Sequence, residues 1–228
     1  MKERFQTLEK QIQYEFKNKS LIKQALTHSS YANECKTGKC QHNERIEFLG
    51  DAVLELAVSE YLFQNYPQEN EGKMTKLRSS LVCEFTLSQC ARDIHLGDYL
   101  YLSKGEEMTG GRERNSILCD AFESIIGAIY LDSGFEQAKQ FIYQYLLQDV
   151  EDKTLFYDAK TILQEMVQGN NWGMLSYVLL EEKGPDHNKE FLVQAQVGDR
   201  ILGNGIGRTK KAAEQQAAYE AIKRLKNE

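Results

Sequence analysis

Four carboxylates lie in stretches so apolar that their charge needs a cause. In NERIEFLGDAVLELAVSEYLF, Asn43 to Phe63, the residues Glu44, Glu47 and Asp51 share one face of a helix turning about 100° per residue. That face continues into Leu54 and Val58, while Leu49, Val53, Leu56 and Ala57 cover most of the rest, so the helix reads as apolar nearly all round and buried. In SILCDAFESIIGAIYL, Ser116 to Leu131, Asp120 and Glu123 are the only charges, and no lysine or arginine accompanies them. With Ser116 as N-cap, the helix dipole alone would favour acids in the first turns. The same anomaly in two helices points to a shared cause, because a carboxylate against buried surface is costly unless paired or bound to metal. Glu47, Asp51, Asp120 and Glu123 offer hard oxygen ligands, which suit Mg²⁺ or Mn²⁺ rather than a thiophilic ion. Such a cation activates water and stabilises the departing oxygen of a phosphodiester.

The elements that must position these acids are helical. Apolar residues recur at i, i+3 and i+4 through Phe5 to Phe16, Ile46 to Phe63, Leu77 to Ile94 and Ile117 to Leu131. Turn-forming clusters at Asn65–Gly72, Ser103–Gly111 and Asp132–Gly134 interrupt them. The periodicity is lost over Gln148 to Asp158. Beyond it, a helix from Ala159 to Gln168 precedes three short strands, Leu175–Leu180, Glu190–Val197 and Arg200–Gly205, and an alanine-rich helix from Lys210 to Leu225. The expected organisation is a mainly α domain over 1–148, a linker over 149–157, and a small α+β domain of order α-β-β-β-α over 158–228.

Net charge is −6, from 28 basic and 34 acidic residues in 228. Residues 158–228 hold 10 of each sign, so the whole excess of acid lies in residues 1–157. Polyanion affinity must then come from local basic patches. No apolar run reaches the ~18–20 residues that span a bilayer, and MKERFQTLEK lacks the apolar core of a signal peptide. Five cysteines, with no CxxC pair, argue against a disulfide framework, and a metal cluster of Cys35, Cys40 and His42 lacks a fourth ligand. A cytoplasmic protein is expected. Gly203, Gly205 and Gly207 have GxGxG spacing without the βαβ context of a dinucleotide site, and no GK[ST] triplet exists, so no nucleotide cofactor is expected.

The segment NERIEFLGDAVL resembles the signature of the ribonuclease III family. The resemblance continues through ALTHSSYAN at Ala25–Asn33, EGKMTKLRSSLV at Glu71–Val82 and GRERNSILCDAFESIIGAIYLD at Gly111–Asp132. It implies that Glu47, Asp120 and Glu123 match metal-ligand positions and that Asp51 and Glu123 match those most tied to catalysis. Glu44 and Glu71 match two further acidic positions, with water-positioning or second-metal roles. Departures are Ile46 for the usual leucine and Cys119 for the usual alanine. His28 reads as a structural hydrogen-bonding residue, Glu55 as structural, and Tyr61, Tyr130, Tyr143 and Tyr145 as core or interface residues.

The second part resembles a double-stranded RNA-binding domain, through GPDHNKEFLVQAQV and GNGIGRTKKAAEQQAAYEAI. Lys210 and Lys211 oppose the dipole of the helix they begin, which makes sense if phosphates dock on that N-terminus. The resemblance places Thr161, Gln164 and Glu165 against 2′-hydroxyls and base edges in a minor groove, and the Pro185–Asp186–His187 loop in a second groove one turn away. Thr209 replaces the usual serine, and the stretch from Trp172 to Leu175 lacks the usual prolines. Together these imply a homodimeric endoribonuclease acting on duplex RNA. It would leave 5′-phosphate and 3′-hydroxyl ends and process ribosomal and other structured precursor RNAs. The rival is a non-cleaving double-stranded RNA-binding regulator, against which the four intact acids argue.

Overall fold

The computed structural model describes residues 2–35, 40–184 and 189–227, with side chains from Phe5 onward. The chain divides into two compact units, Met1–Val150 and Glu151–Glu228.

The first unit is helical. Its elements are α1 (Lys2–Gln11), α2 (Lys19–Ala25), α3 (Ser29–Glu34), α4 (Glu44–Asn65), α5 (Glu71–Leu81), α6 (Glu84–Asp93), α7 (Lys104–Met108), α8 (Asn115–Ser133) and α9 (Phe135–Tyr145). The apolar run from Leu77 to Ile94 breaks into α5 and α6 because Thr86 Oγ1 donates to the Ser80 carbonyl at 2.7 Å, satisfying the main chain at a turn instead of a helix. α8 is the central helix: Ile117, Leu118, Ala121, Phe122, Ile125, Ile126, Ala128 and Ile129 are all buried. Its last turn is anchored where Asp132 accepts hydrogen bonds from Tyr14 Oη at 2.7 Å and from the Lys17 and Asn18 amides at 2.8 Å.

α4 departs from the all-round burial its sequence predicts. Val53, Leu54, Ala57, Val58 and Leu62 enter the core, but Phe48, Leu56 and Phe63 are 80%, 58% and 74% exposed. Their spacings of 8 and 15 residues confine them to an arc of roughly 80°, so they form one apolar stripe on the outside of the helix. Glu55 pairs with Arg78 at 2.9 Å. The four tyrosines pack against the core, partly buried.

The second unit comprises α10 (Val150–Gly169) from Glu151 onward, β1 (Leu175–Lys183), β2 (Glu190–Val197), β3 (Arg200–Gly207) and α11 (Lys210–Asn227), with the strands antiparallel in the order β1-β2-β3. Residues 149–157 differ from the expected linker. Asp149 takes a left-handed conformation, φ +57°, and Val150 then opens α10. Glu151 and Asp152 in its first turn suit the helix dipole. Gln215 Nε2 bonds the Phe156 and Tyr157 carbonyls, and Tyr219 Oη donates to Asp152 at 2.6 Å, so α11 holds this charged start in place. A separate core gathers Leu163 and Val167 of α10, Phe191, Val193 and Ala195 of β2, and Ala213, Ala217 and Ile222 of α11.

The GxGxG run is explained by packing. Gly203, Gly205 and Gly207 alternate along β3 on the face that meets α11. A Cβ on Gly205 would lie 2.2 Å from the Ala217 nitrogen, and one on Gly203 2.6 Å from the Ala217 carbonyl oxygen. Glycine on the strand and alanine on the helix let the two backbones touch.

Candidate active site

The acids are brought together by a glycine crossing. A Cβ on Gly50 of α4 would sit 1.9 Å from the Glu123 carbonyl oxygen of α8, and one on Gly127 would sit 2.3 Å from the Ile46 carbonyl oxygen. Main chain therefore meets main chain where the helices cross. Gly50 is flanked by Glu47 and Asp51, and Gly127 lies one turn beyond Glu123, so this close approach faces the two acidic pairs toward each other. Neither glycine was among the residues singled out from the sequence. An isolated glycine inside a helical pattern is itself a packing signal, since it costs about 1 kcal/mol against alanine.

Each helix start is fixed independently. The Asn43 amide, just before α4, donates to the Thr27 carbonyl at 2.9 Å. Ser116 is not the N-cap of α8, which begins at Asn115 after Arg114. Arg92 on α6 instead holds that entry, its Nη2 donating to Asn115 Oδ1 at 2.6 Å and to the Glu113 carbonyl at 2.8 Å.

The electrostatics match a group of anions without countercharge. Glu47 is pushed up to about 7 by burial and by the charges of Asp120, Glu44 and Asp51. Glu123 is pushed up to about 8 by burial and by Asp51, Glu47 and Asp120. Asp120 is also raised by burial, against the opposing influence of His28, with Glu84 and Glu44 adding to the rise. Among the described residues no lysine or arginine pairs with these three acids or with Asp51. Cys119 stands among them. Its sulfur and the carboxylate oxygens of Asp120 and Glu123 lie within 4.8 Å of one another, and burial first, then Glu123 and Asp120, hold its thiol well above the usual range. Acids that raise one another's proton affinity fit a divalent cation, which would relieve both repulsion and desolvation.

Glu44 belongs to this group through its charge on Glu47 and Asp120, although its own carboxylate is exposed, 3.7 Å from His42 Nδ1. Glu71 is the exposed first residue of α5, accepting a hydrogen bond from Thr75 Oγ1 at 3.1 Å. Glu84, at the start of α6, acts on Asp120 and was not anticipated from the sequence. His28 caps α3: its Nδ1 accepts the Ser30 amide at 3.2 Å. The Cys35 and Cys40 sulfurs are bonded to each other, so neither remains a thiol ligand to combine with His42.

In the second unit, Thr161, Gln164 and Glu165 lie exposed on one side of α10, opposite buried Ala159, Leu163 and Val167. Lys210 and Lys211 are the exposed first residues of α11, and Thr209 caps that helix by accepting the Ala212 amide on Oγ1 at 3.1 Å. Lys210 Nζ also lies 5.8 Å from the centre of the Phe191 ring. His187, with Pro185 and Asp186, falls outside the described residues. No described helix is long and apolar enough to cross a membrane.

Residues 18–150 match the family described as ribonuclease-III-like, and residues 159–225 match the double-stranded RNA binding motif. The chain is 49% identical over 221 residues to ribonuclease 3 of Caldanaerobacter subterraneus subsp. tengcongensis, covering 96% of each chain. It is 48% identical over 225 residues to ribonuclease 3 of Geobacillus thermodenitrificans, covering 98% of this chain and 92% of the relative. The first unit is similar to the nuclease domain of ribonuclease III from Campylobacter jejuni, a structure described as flexible in a region involved in dimer formation. That match has a TM-score of 0.57 at 47% identity and covers 61% of this chain and 93% of the other. With both units matched in order, and the relatives covered almost end to end, the chain belongs to the ribonuclease III family as a nuclease unit followed by a double-stranded RNA-binding unit.

Proposed function

We propose that the chain is a Mg²⁺-dependent endoribonuclease for double-stranded RNA, with Mn²⁺ as a substitute. The observation that carries this reading is the uncompensated carboxylate group across the α4–α8 crossing, where burial and the neighbouring acids raise the proton affinity of both Glu47 and Glu123. Glu47, Asp51, Asp120 and Glu123 would hold the cation. When bound, it supplies Lewis acidity to water and neutralises charge on the departing oxygen. Asp51, exposed on α4 next in line to the half-buried acids, would accept the proton of the attacking water on a carboxylate oxygen. Water oxygen bonds to phosphorus as the P–O3′ bond breaks, and O3′ takes a proton from solvent, leaving a 5′-phosphate and a 3′-hydroxyl. Glu44 supports the site through its charge on Glu47 and Asp120. Glu71 would take the water-positioning or second-metal role that the family resemblance of its segment implies.

Duplex RNA as substrate is supported by the second unit. Thr161, Gln164, Glu165 and His187 would read 2′-hydroxyls and groove shape, while Lys210 and Lys211 neutralise phosphates at the α11 N-terminus. The natural substrates are then ribosomal and other structured precursor RNAs. A homodimer is supported by Phe48, Leu56 and Phe63, because a contiguous apolar stripe is seldom left to water and one face meeting its own copy closes a two-fold interface.

The test is Glu123→Gln on a long RNA duplex with Mg²⁺. Retained binding with cleavage lowered at least about a thousandfold is expected for a group acting at the reacting atoms. Wild-type protein that binds the duplex but leaves it intact would make the chain a regulator instead. Equal cutting of duplex DNA would refute recognition through the 2′-hydroxyl.

A further inference from the structure

Cys119 is placed as a ligand although an oxygen-bound cation has no need of it. Its side chain is more than nine-tenths buried, at 8% exposure, and it makes no hydrogen bond among the described residues. Its sulfur lies within 4.8 Å of carboxylate oxygens of both Asp120 and Glu123. Cys119 and Glu123 are four residues apart on α8, so the helix turns both to one side, with Asp120 adjacent.

We propose that Cys119, Asp120 and Glu123 form a mixed sulfur–oxygen site for a thiophilic divalent cation such as Zn²⁺ or Cd²⁺, in competition with the hard cation for the two shared carboxylates. The proposal rests on the reading that Asp120 and Glu123 hold that hard cation. In tetrahedral zinc sites the metal lies about 2.3 Å from sulfur and about 2.0–2.2 Å from oxygen, which puts ligand atoms roughly 3.3–3.6 Å apart. Three atoms already within 4.8 Å reach that spacing by closing in roughly an ångström, a shift available to the Asp120 and Glu123 side chains while Cys119 stays buried. On binding, the S–H bond of Cys119 breaks, its proton leaves to water, and a metal–sulfur bond forms, with no change of oxidation state. Sulfur selects for a soft ion, whereas Mg²⁺ and Mn²⁺ prefer the oxygens alone. A cation seated on sulfur withdraws two carboxylates from the catalytic set and so acts as an inhibitor.

The full-length metal-free chain, handled under argon without reductant so that the Cys35–Cys40 bond stays closed, is titrated with Cd²⁺ and followed by the ultraviolet sulfur-to-cadmium charge-transfer absorption. Mn²⁺ is titrated in parallel by calorimetry. Wild type should show the band at one equivalent. Cys119→Ala, and Cys119→Ser as the variant that preserves size, should lose it and bind Cd²⁺ at least about tenfold more weakly, with Mn²⁺ affinity moving less than about twofold. Cys83→Ser should keep the band. Cleavage of an RNA duplex with Mg²⁺ should need at least about tenfold more Cd²⁺ for inhibition in the Cys119 variants. An undiminished band in both Cys119 variants, or its loss in Cys83→Ser, overturns the proposal. Glu123→Gln separates the two claims. If it leaves Mn²⁺ binding intact, the carboxylate reading has failed; if it abolishes Mn²⁺ binding but not Cd²⁺ binding, the mixed site has failed and the carboxylate reading stands.

Discussion

Gly50→Ala puts the glycine crossing to a quantitative test. The added methyl would lie 1.9 Å from the Glu123 carbonyl oxygen, 2.7 Å from its carbonyl carbon and 3.0 Å from the Gly127 nitrogen. Ordinary contact begins at 3.4 Å, and every obstructing atom is main chain, so no side chain can swing aside. The helices must part by roughly 1.5 Å at the crossing. Overpacking of this kind costs on the order of 3 kcal/mol, offset by about 1 kcal/mol from alanine's better helix propensity. A net loss of roughly 2 kcal/mol lowers Tm by about 4–8 °C for a unit of this size. Metal–ligand distances tolerate only about 0.2 Å, so parting the acidic pairs should also weaken Mn²⁺ at least about tenfold. Scanning calorimetry and a Mn²⁺ titration read the two effects. Gly72→Ala is the control, because its Cβ meets nothing nearer than Asn70 Oδ1 at 3.5 Å. A Gly50→Ala protein with wild-type Tm would refute the crossing, and a lowered Tm with unchanged Mn²⁺ affinity would refute its link to the acids.

The metal-free protein should lose stability as pH rises. Glu47 and Glu123, raised from 4.5 to about 7 and about 8, bind more protons folded than unfolded across that window, so their stabilisation is complete at low pH and lost through pH 7–8. Tm should fall between about pH 5 and pH 8, by on the order of 1–2 kcal/mol equivalent once solvent screening is allowed for, and saturating Mn²⁺ should abolish the slope. A flat Tm profile without metal would contradict the uncompensated cluster. Replacing Lys210 and Lys211 together by alanine should weaken duplex RNA binding and reduce the slope of log K against log salt by about 2. An unchanged slope would remove both from the phosphate contacts. Phe63→Asp, at a side chain 74% exposed, should leave helicity intact but convert dimer to monomer in sedimentation velocity. An unaltered sedimenting mass would exclude the α4 stripe as the interface.

The sequence carried the acids more clearly than the means of bringing them together. Glu47, Asp51, Asp120 and Glu123 stand out because charge in an apolar helix has few causes, whereas the closeness of α4 and α8 depends on Gly50 and Gly127, whose lack of a side chain leaves no chemistry to read. Periodicity marks which residues are apolar but not which of them find a partner, so Phe48, Leu56 and Phe63 could not be told from core. The first turns of α10 escaped notice for a related reason: Glu151 to Asp158 is charged and aperiodic, and its helix is fixed by Gln215 and Tyr219, nearly sixty residues or more away in sequence.

The contact between β3 and α11 has an entropic consequence. Glycine and alanine give up no side-chain rotamers on burial, whereas leucine or isoleucine in the same places would each lose about 0.5–1 kcal/mol. A unit of this size buries a smaller share of its surface than a large domain and gains less from apolar contact. Along this seam it avoids the side-chain part of the ordering cost that usually accompanies packing. The seam also has no rotamer to change, so α11 is held against the sheet as one rigid piece, and Lys210 and Lys211 are presented from a support that does not need to be reordered when phosphate arrives.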